Sequence, residues 1–319
     1  MSRPVTRPTG SGWSFPRTFW VTNTLELFER AAFYGMFIAL ALYLTQRVGF
    51  SDIHAGYAAA AFSSIMYLLP PFSGAMADKI GYRRALILAF SLLAIGYSLL
   101  GAFPQKTPVL LALGLIMCGG SIVKPVISAT VAHCSSDEHR ARAYSIFYLI
   151  VNIGAVLGKA VAKPLRTGFH LPYFGDLKLG LEYINFYAAF MAVCALLLVI
   201  FVHRDVEMHK RHKTIPEILS DLRQVLRNFR FMCLIVIVAG FWTIQGQIYS
   251  TMPKYVLRLL GEGASPEWLA AINPVVVVAL VIPITHLVRN VKAEYSVLVS
   301  LLLIPLSALL TALSPAVES

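Results

Sequence analysis

The sequence predicts an all-α polytopic membrane protein. Hydrophobic residues make up 57% of its 319 positions and charged residues only 13%, about half the charged share of a soluble domain. Charge-free runs long enough to cross a hydrocarbon core of about 30 Å recur along the chain. Those runs are continuous rather than alternating, which favours helices over a barrel. The same composition excludes a disordered chain, because disorder needs low hydrophobicity. Cys118, Cys134, Cys194 and Cys233 lie far apart. They suit neither a disulfide scaffold nor a metal site, and read as free thiols used as small apolar residues.

Taken in order, the gaps between charges predict nine spans, near residues 19–44, 53–77, 85–104, 109–132, 143–163, 183–203, 231–252, 268–288 and 295–315. The first and fifth are apolar but contain charges. No cleavable signal peptide is expected, because Glu26, Glu29 and Arg30 interrupt the first apolar stretch. With the N-terminus inside, seventeen Lys and Arg fall on inner segments and eight on outer ones, so the positive-inside rule places the N-terminus in the cytoplasm of a multi-pass cell-membrane protein. The segment after the fifth span dissents, with Lys159, Lys163, Arg166 and Lys178 outside. Lys159 reads as an interfacial anchor at the end of that span. The net charge of +11 belongs to these loops and their contact with anionic lipid, not to a nucleic-acid surface.

Three segments follow from the pattern: a six-helix N-terminal bundle over 1–204, a basic cytoplasmic linker over 205–230, and about three helices of a second bundle over 231–319. Within the linker, residues 215–226 read as an amphipathic interfacial helix. Residues 173–180 read as a small external turn or hairpin. Helical transporters are often built from repeated halves with the site at their interface. Six plus three spans therefore suggests a C-terminally truncated chain, or one half of a split assembly; the alternative is a complete nine-span protein.

Ionisable groups inside spans cost several kcal/mol unless paired or wet. Helical geometry puts Glu26 and Arg30 one turn apart on one face, with Glu29 about 60° around. Lys124 lies too deep in the fourth span for full snorkelling. Tyr67, Asn152 and Asn273 fall in or near the same central layer, the pattern expected of a binding cavity between bundles. No His-Glu metal motif or nucleophile motif occurs in a span, so neither an enzyme nor a metal site is expected.

These residues also carry a resemblance. The run Glu26-Leu27-Phe28-Glu29-Arg30-Ala31-Ala32-Phe33-Tyr34-Gly35 resembles the first-helix signature of proton-dependent oligopeptide transporters. The stretch from Gly74 to Arg84, through Asp78 and Gly81, is similar to the loop between helices 2 and 3 of the wider major facilitator superfamily. Lys124-Pro125, Phe147-Tyr148 with Asn152-Ile153-Gly154, and Trp268 with Asn273-Pro274 resemble the family's helices 4, 5 and 8. The resemblance implies a major facilitator fold and proton-coupled symport of di- and tripeptides by alternating access. No cofactor beyond the coupling proton is implied. Glu26, Glu29, Arg30 and Lys124 would couple the proton. Arg30, Tyr34, Tyr67, Lys124, Asn152 and Asn273 would bind peptide. Gly74, Asp78, Gly81, Arg83 and Arg84 would form the cytoplasmic gate. The chain departs from the pattern at Ala31 and Phe33, and at Gly246, where many members carry an acid. Those departures leave open another small solute, such as nitrate, a drug or an organic anion. A non-transporting fragment is the third reading.

Overall fold

The computed structural model describes residues 15–136, 138–171, 175–177, 179–203 and 215–288, with scattered positions between 291 and 309. The ninth predicted span lies largely outside the described residues, as do residues 204–214 of the linker and Tyr173, Phe174 and Lys178 of the external turn. The chain divides into two compact units, Met1–Val278 and Ala279–Ser319. The first unit holds the core and the candidate site residues.

The helices are α1 (Arg17–Leu42), α2 (Asp52–Leu68), α3 (Pro70–Ile80), α4 (Tyr82–Ala102), α5 (Lys106–His133), α6 (Arg140–Thr167), α7 (Leu181–Phe201), α8 (Ile215–Arg227), α9 (Phe229–Ser250), α10 (Met252–Leu260) and α11 (Pro266–Val288). A π-turn, Tyr43–Arg47, extends α1. Among the described residues, seven helical segments are long and apolar enough to cross a membrane. Two three-residue strands, β1 (Phe169–Leu171) and β2 (Gly175–Leu177), pair antiparallel in the connection after α6.

The second span is not one helix. Charge-free sequence runs through 53–77, but Pro70 and Pro71 lack backbone N–H groups, so the carbonyls of Met66 and Tyr67 lose their helical donors. The chain breaks there into α2 and α3. Gly81 then turns α3 into α4 at φ +92°, a left-handed conformation that side-chain-bearing residues resist. The stretch after α9 is also more structured than the sequence suggested, because Thr251-Met252-Pro253 starts the short helix α10.

The core lies where α1 packs on α6 and α7, and α4 packs on α5 and α7. Small residues let these helices approach. A Cβ on Gly158 of α6 would fall 2.4 Å from the Ala31 carbonyl oxygen of α1. At Gly154 it would fall 2.7 Å from the Cβ of Arg30. Without a hydrophobic drive between helices in lipid, such close backbone contact is the main source of association. It also fixes α6 against the charged turn of α1.

Interior prolines are handled by neighbours. Pro125 leaves the Ser121 carbonyl of α5 without its helical donor. The Ser73 hydroxyl of α3 supplies one, at 2.7 Å. Backbone groups at membrane depth need such a partner.

Candidate functional site

The charged turn of α1 forms one cluster. Arg30 Nε lies 3.2 Å from Glu26 Oε1, and the guanidinium also pairs with Glu29. Glu26 and Glu29 are 2% exposed and Arg30 is 8% exposed, which places them inside the protein rather than at a membrane rim. Two carboxylates share one guanidinium. Glu26 Oε2 is buried with no hydrogen-bond partner among the described residues.

Aromatic rings continue from this cluster. The Arg30 guanidinium lies 5.4 Å from the Phe33 ring centre and 5.9 Å from that of Tyr34, within cation–π range. Tyr34 sits 5.9 Å from Tyr249 of α9. Phe37 bridges Phe33, Phe62 of α2 and Tyr249, at 5.1, 6.1 and 5.5 Å between ring centres.

Lys124, exposed on α5, holds its ammonium 4.8 Å from the ring centre of Tyr67, itself exposed on α2. No hydrogen bond or ion pair joins Lys124 to the glutamates among the described residues. Asn152 donates to the Tyr148 carbonyl of its own helix at 2.8 Å. Asn273 is exposed on α11, just before Pro274. At the other end of α3, Asp78 accepts from the Tyr82 hydroxyl at 3.0 Å, and Arg83 donates to the Ile200 carbonyl of α7 at 2.7 Å. Gly74 rests against Pro125, and Arg84 is exposed.

A second charged set was not foreseen. Lys159 is 1% exposed, so it is no interfacial anchor. Its ammonium donates to the Ala270 carbonyl of α11 at 2.8 Å and to the Tyr249 hydroxyl at 3.2 Å. It lies 5.4 Å from the Tyr34 ring centre and 4.9 Å from that of Tyr249. The Ala270 carbonyl is available because Pro274, four residues on, cannot donate to it. One turn along α6, Lys163 bonds the Ser265 hydroxyl. Arg166 then pairs with Glu267 at 2.6 Å and donates to the carbonyls of Glu262 and Ala264 at 3.2 and 2.9 Å. The clue in the sequence was the cluster of positive residues that broke the inside-outside bias.

The same end carries exposed ion pairs. Arg47 meets Glu182 at 2.9 Å. Asp52, just before the second apolar stretch, meets Lys254 at 2.8 Å and also Arg258, both of α10. The hydrogen bond from Lys254, then that from Arg258, holds the Asp52 carboxyl below the usual carboxylate range.

Comparison with known proteins gives a consistent picture. Residues 25–319 match the Major Facilitator Superfamily. The dipeptide and tripeptide permease B of Xenorhabdus bovienii is 30% identical over 167 residues, covering 50% of this chain and 34% of that protein. The Salmonella typhimurium permease of the same name is 31% identical over 169 residues, 52% of this chain and 34% of that protein. The matched region thus spans about a third of these curated relatives. Among solved structures, a peptide transporter POT in complex with sulfate superposes with a TM-score of 0.68 at 18% identity, over 89% of this chain and 71% of that one. A mutant of that transporter in complex with alafosfalin gives 0.69 at 19% identity, over 90% and 71%. At such identity these structures speak for the fold alone.

Proposed function

The chain belongs to the Major Facilitator Superfamily, and we propose that it lies in the branch of proton-dependent oligopeptide transporters and carries the proton- and peptide-handling helices of a di- and tripeptide symporter. The N-terminus lies in the cytoplasm on this reading, and α1, α2, α5 and α9 face the transport path.

The observation that carries the proposal is the charge balance of the α1 cluster. Two buried carboxylates contact one guanidinium, so one negative charge is left to be balanced by a proton or by Lys124. A proton on either glutamate frees the Arg30 guanidinium for a peptide carboxylate. Loss of that proton returns Arg30 to the glutamates. Proton and peptide thus become thermodynamically linked, and each biases the packing of the helices around the path. Tyr34 and Tyr67 supply flat surfaces and hydroxyls beside the two cations. Asn152 and Asn273 offer amides for the peptide backbone. The contacts of Asp78 and Arg83 brace the cytoplasmic ends of α3, α4 and α7.

Calorimetry of the purified chain with dialanine, in buffers of different protonation enthalpy, tests the linkage. Binding should exchange protons with the buffer, and Glu29→Gln should remove most of that exchange while leaving binding measurable. Dialanine binding with no proton exchange in the unaltered chain would overturn the proposal. Competition by nitrate or a simple organic anion, with none by dialanine, would favour the other cargo instead.

A further inference from the structure

We infer that the cationic face of α6 formed by Lys159, Lys163 and Arg166 is the outer gate of the path, a clamp that must part for the outer side to open. The inference deepens the proposed symport and takes its orientation from that reading.

Four observations combine. The three cations occur at positions i, i+4 and i+7, so they lie along one stripe of the helix. Among the described residues, their side-chain hydrogen bonds and ion pairs reach α9, α11 or the connection before α11. Lys159's partners are 90 and 111 residues away in sequence, so the stripe joins the first set of helices to the later ones. The partners are also graded. Among the described residues, Arg166 at the tip has the carboxylate of Glu267, Lys163 has a hydroxyl, and Lys159 has only a carbonyl, a phenol and two aromatic faces.

That grading suits a closure that must be reversible. An all-carboxylate ladder, once dry, would be hard to part, because breaking a buried pair leaves a buried charge on each side. Neutral acceptors hold the inner rungs with less penalty on release. The innermost rung also touches the proposed pocket. Lys159 lies over the rings of Tyr34 and Tyr249, and Tyr34 lies against Arg30. A ligand that shifts Tyr34 therefore bears directly on the rung. Pro274 is part of the device, because it withholds the N–H that would otherwise occupy the Ala270 carbonyl.

The test uses the full chain in lipid nanodiscs, with its four native cysteines replaced by serine. Ala271→Cys, at a position 2% exposed on α11, reports opening by its rate of reaction with a water-soluble maleimide. Glu267→Gln removes the one carboxylate that is buried in the clamp among the described residues. Pro274→Ala returns a helical donor to the Ala270 carbonyl and displaces Lys159. Each should raise the labelling rate about tenfold, the population shift expected of a weakened two-state closure. Pro274→Ala adds a helical bond, so it keeps the test valid if Glu267→Gln fails to fold. Unchanged labelling in well-folded Pro274→Ala protein would overturn the inference. Labelling requires neither peptide nor proton gradient. A chain that binds dialanine without proton exchange, yet opens in these variants, would lose the symport reading and keep the gate.

Discussion

The two charged sets of this protein are built in opposite ways. The α1 cluster is local: Glu26, Glu29 and Arg30 meet because a helix places residues three and four apart on one side. The α6 clamp is assembled across the chain, from cations on one helix and acceptors on others. Local sets have their partners fixed by a single helix, so the contact survives any motion of that helix. Clamps exist only while two groups of helices touch. On the proposed reading, a transport cycle needs both kinds, one to hold charge and one to let go.

The largest expected effect falls on the local set. Arg30→Met leaves two buried carboxylates without their guanidinium, and breaking a buried pair in this way costs about 3–5 kcal/mol. Thermal unfolding in detergent should show a large drop in midpoint. Adding Glu26→Gln and Glu29→Gln to Arg30→Met should recover most of it, because the remaining groups are neutral. An unrecovered triple variant would mean that Arg30 acts through its packing against Gly154 and the aromatic rings, not through charge.

An intermediate effect sharpens the contrast. Lys159→Met keeps most of the side-chain volume but strips the donor from the Ala270 carbonyl, and an unsatisfied buried acceptor costs about 1–3 kcal/mol. Pro274→Ala supplies a backbone donor to that same carbonyl. In a double-mutant cycle the two changes should be strongly non-additive, with Lys159→Met nearly silent once Pro274 is replaced. Additive losses would separate Lys159 from the Ala270 carbonyl and assign its effect to the tyrosine rings.

The difference between the two sets also governs what could be read from the sequence. The apolar runs placed the long helices, and the spacing of Glu26 and Arg30 gave their contact directly, since both depend on local geometry. Pro70-Pro71 announced a break, yet the charge-free run from 53 to 77 was read through it, because hydropathy counts side chains and ignores missing N–H groups. Lys159 carried half of a message. Its charge near an outer end was visible, but the Ala270 carbonyl that receives it is a backbone atom, and its availability depends on a proline 115 positions away in the chain. Asn273-Pro274 drew notice for the amide, whereas the ring beside it frees the carbonyl that Lys159 bonds.

The smallest effect lies at the exposed rim and concerns pH. Lys254 and Arg258 hold the Asp52 carboxyl below its usual range, so Asp52 is the depressed-acid case. Its contribution is fully present above the unfolded value, about pH 4, and disappears as pH falls through the lowered folded value. Between pH 7 and pH 5 the contact should therefore stay constant. Maleimide labelling of Ala271→Cys should be no different in Asp52→Asn at those two pH values than in the parent, beyond a small uniform offset, because exposed pairs contribute little. Because maleimide reacts with the thiolate, each rate is divided by that of a free cysteine at the same pH; a ratio that rises between pH 7 and pH 5 in the parent and not in Asp52→Asn would make the rim pair a proton sensor. The contrast between the two charged sets would then fail, since proton response would reside in the releasable contacts between helices and not in the buried turn of α1.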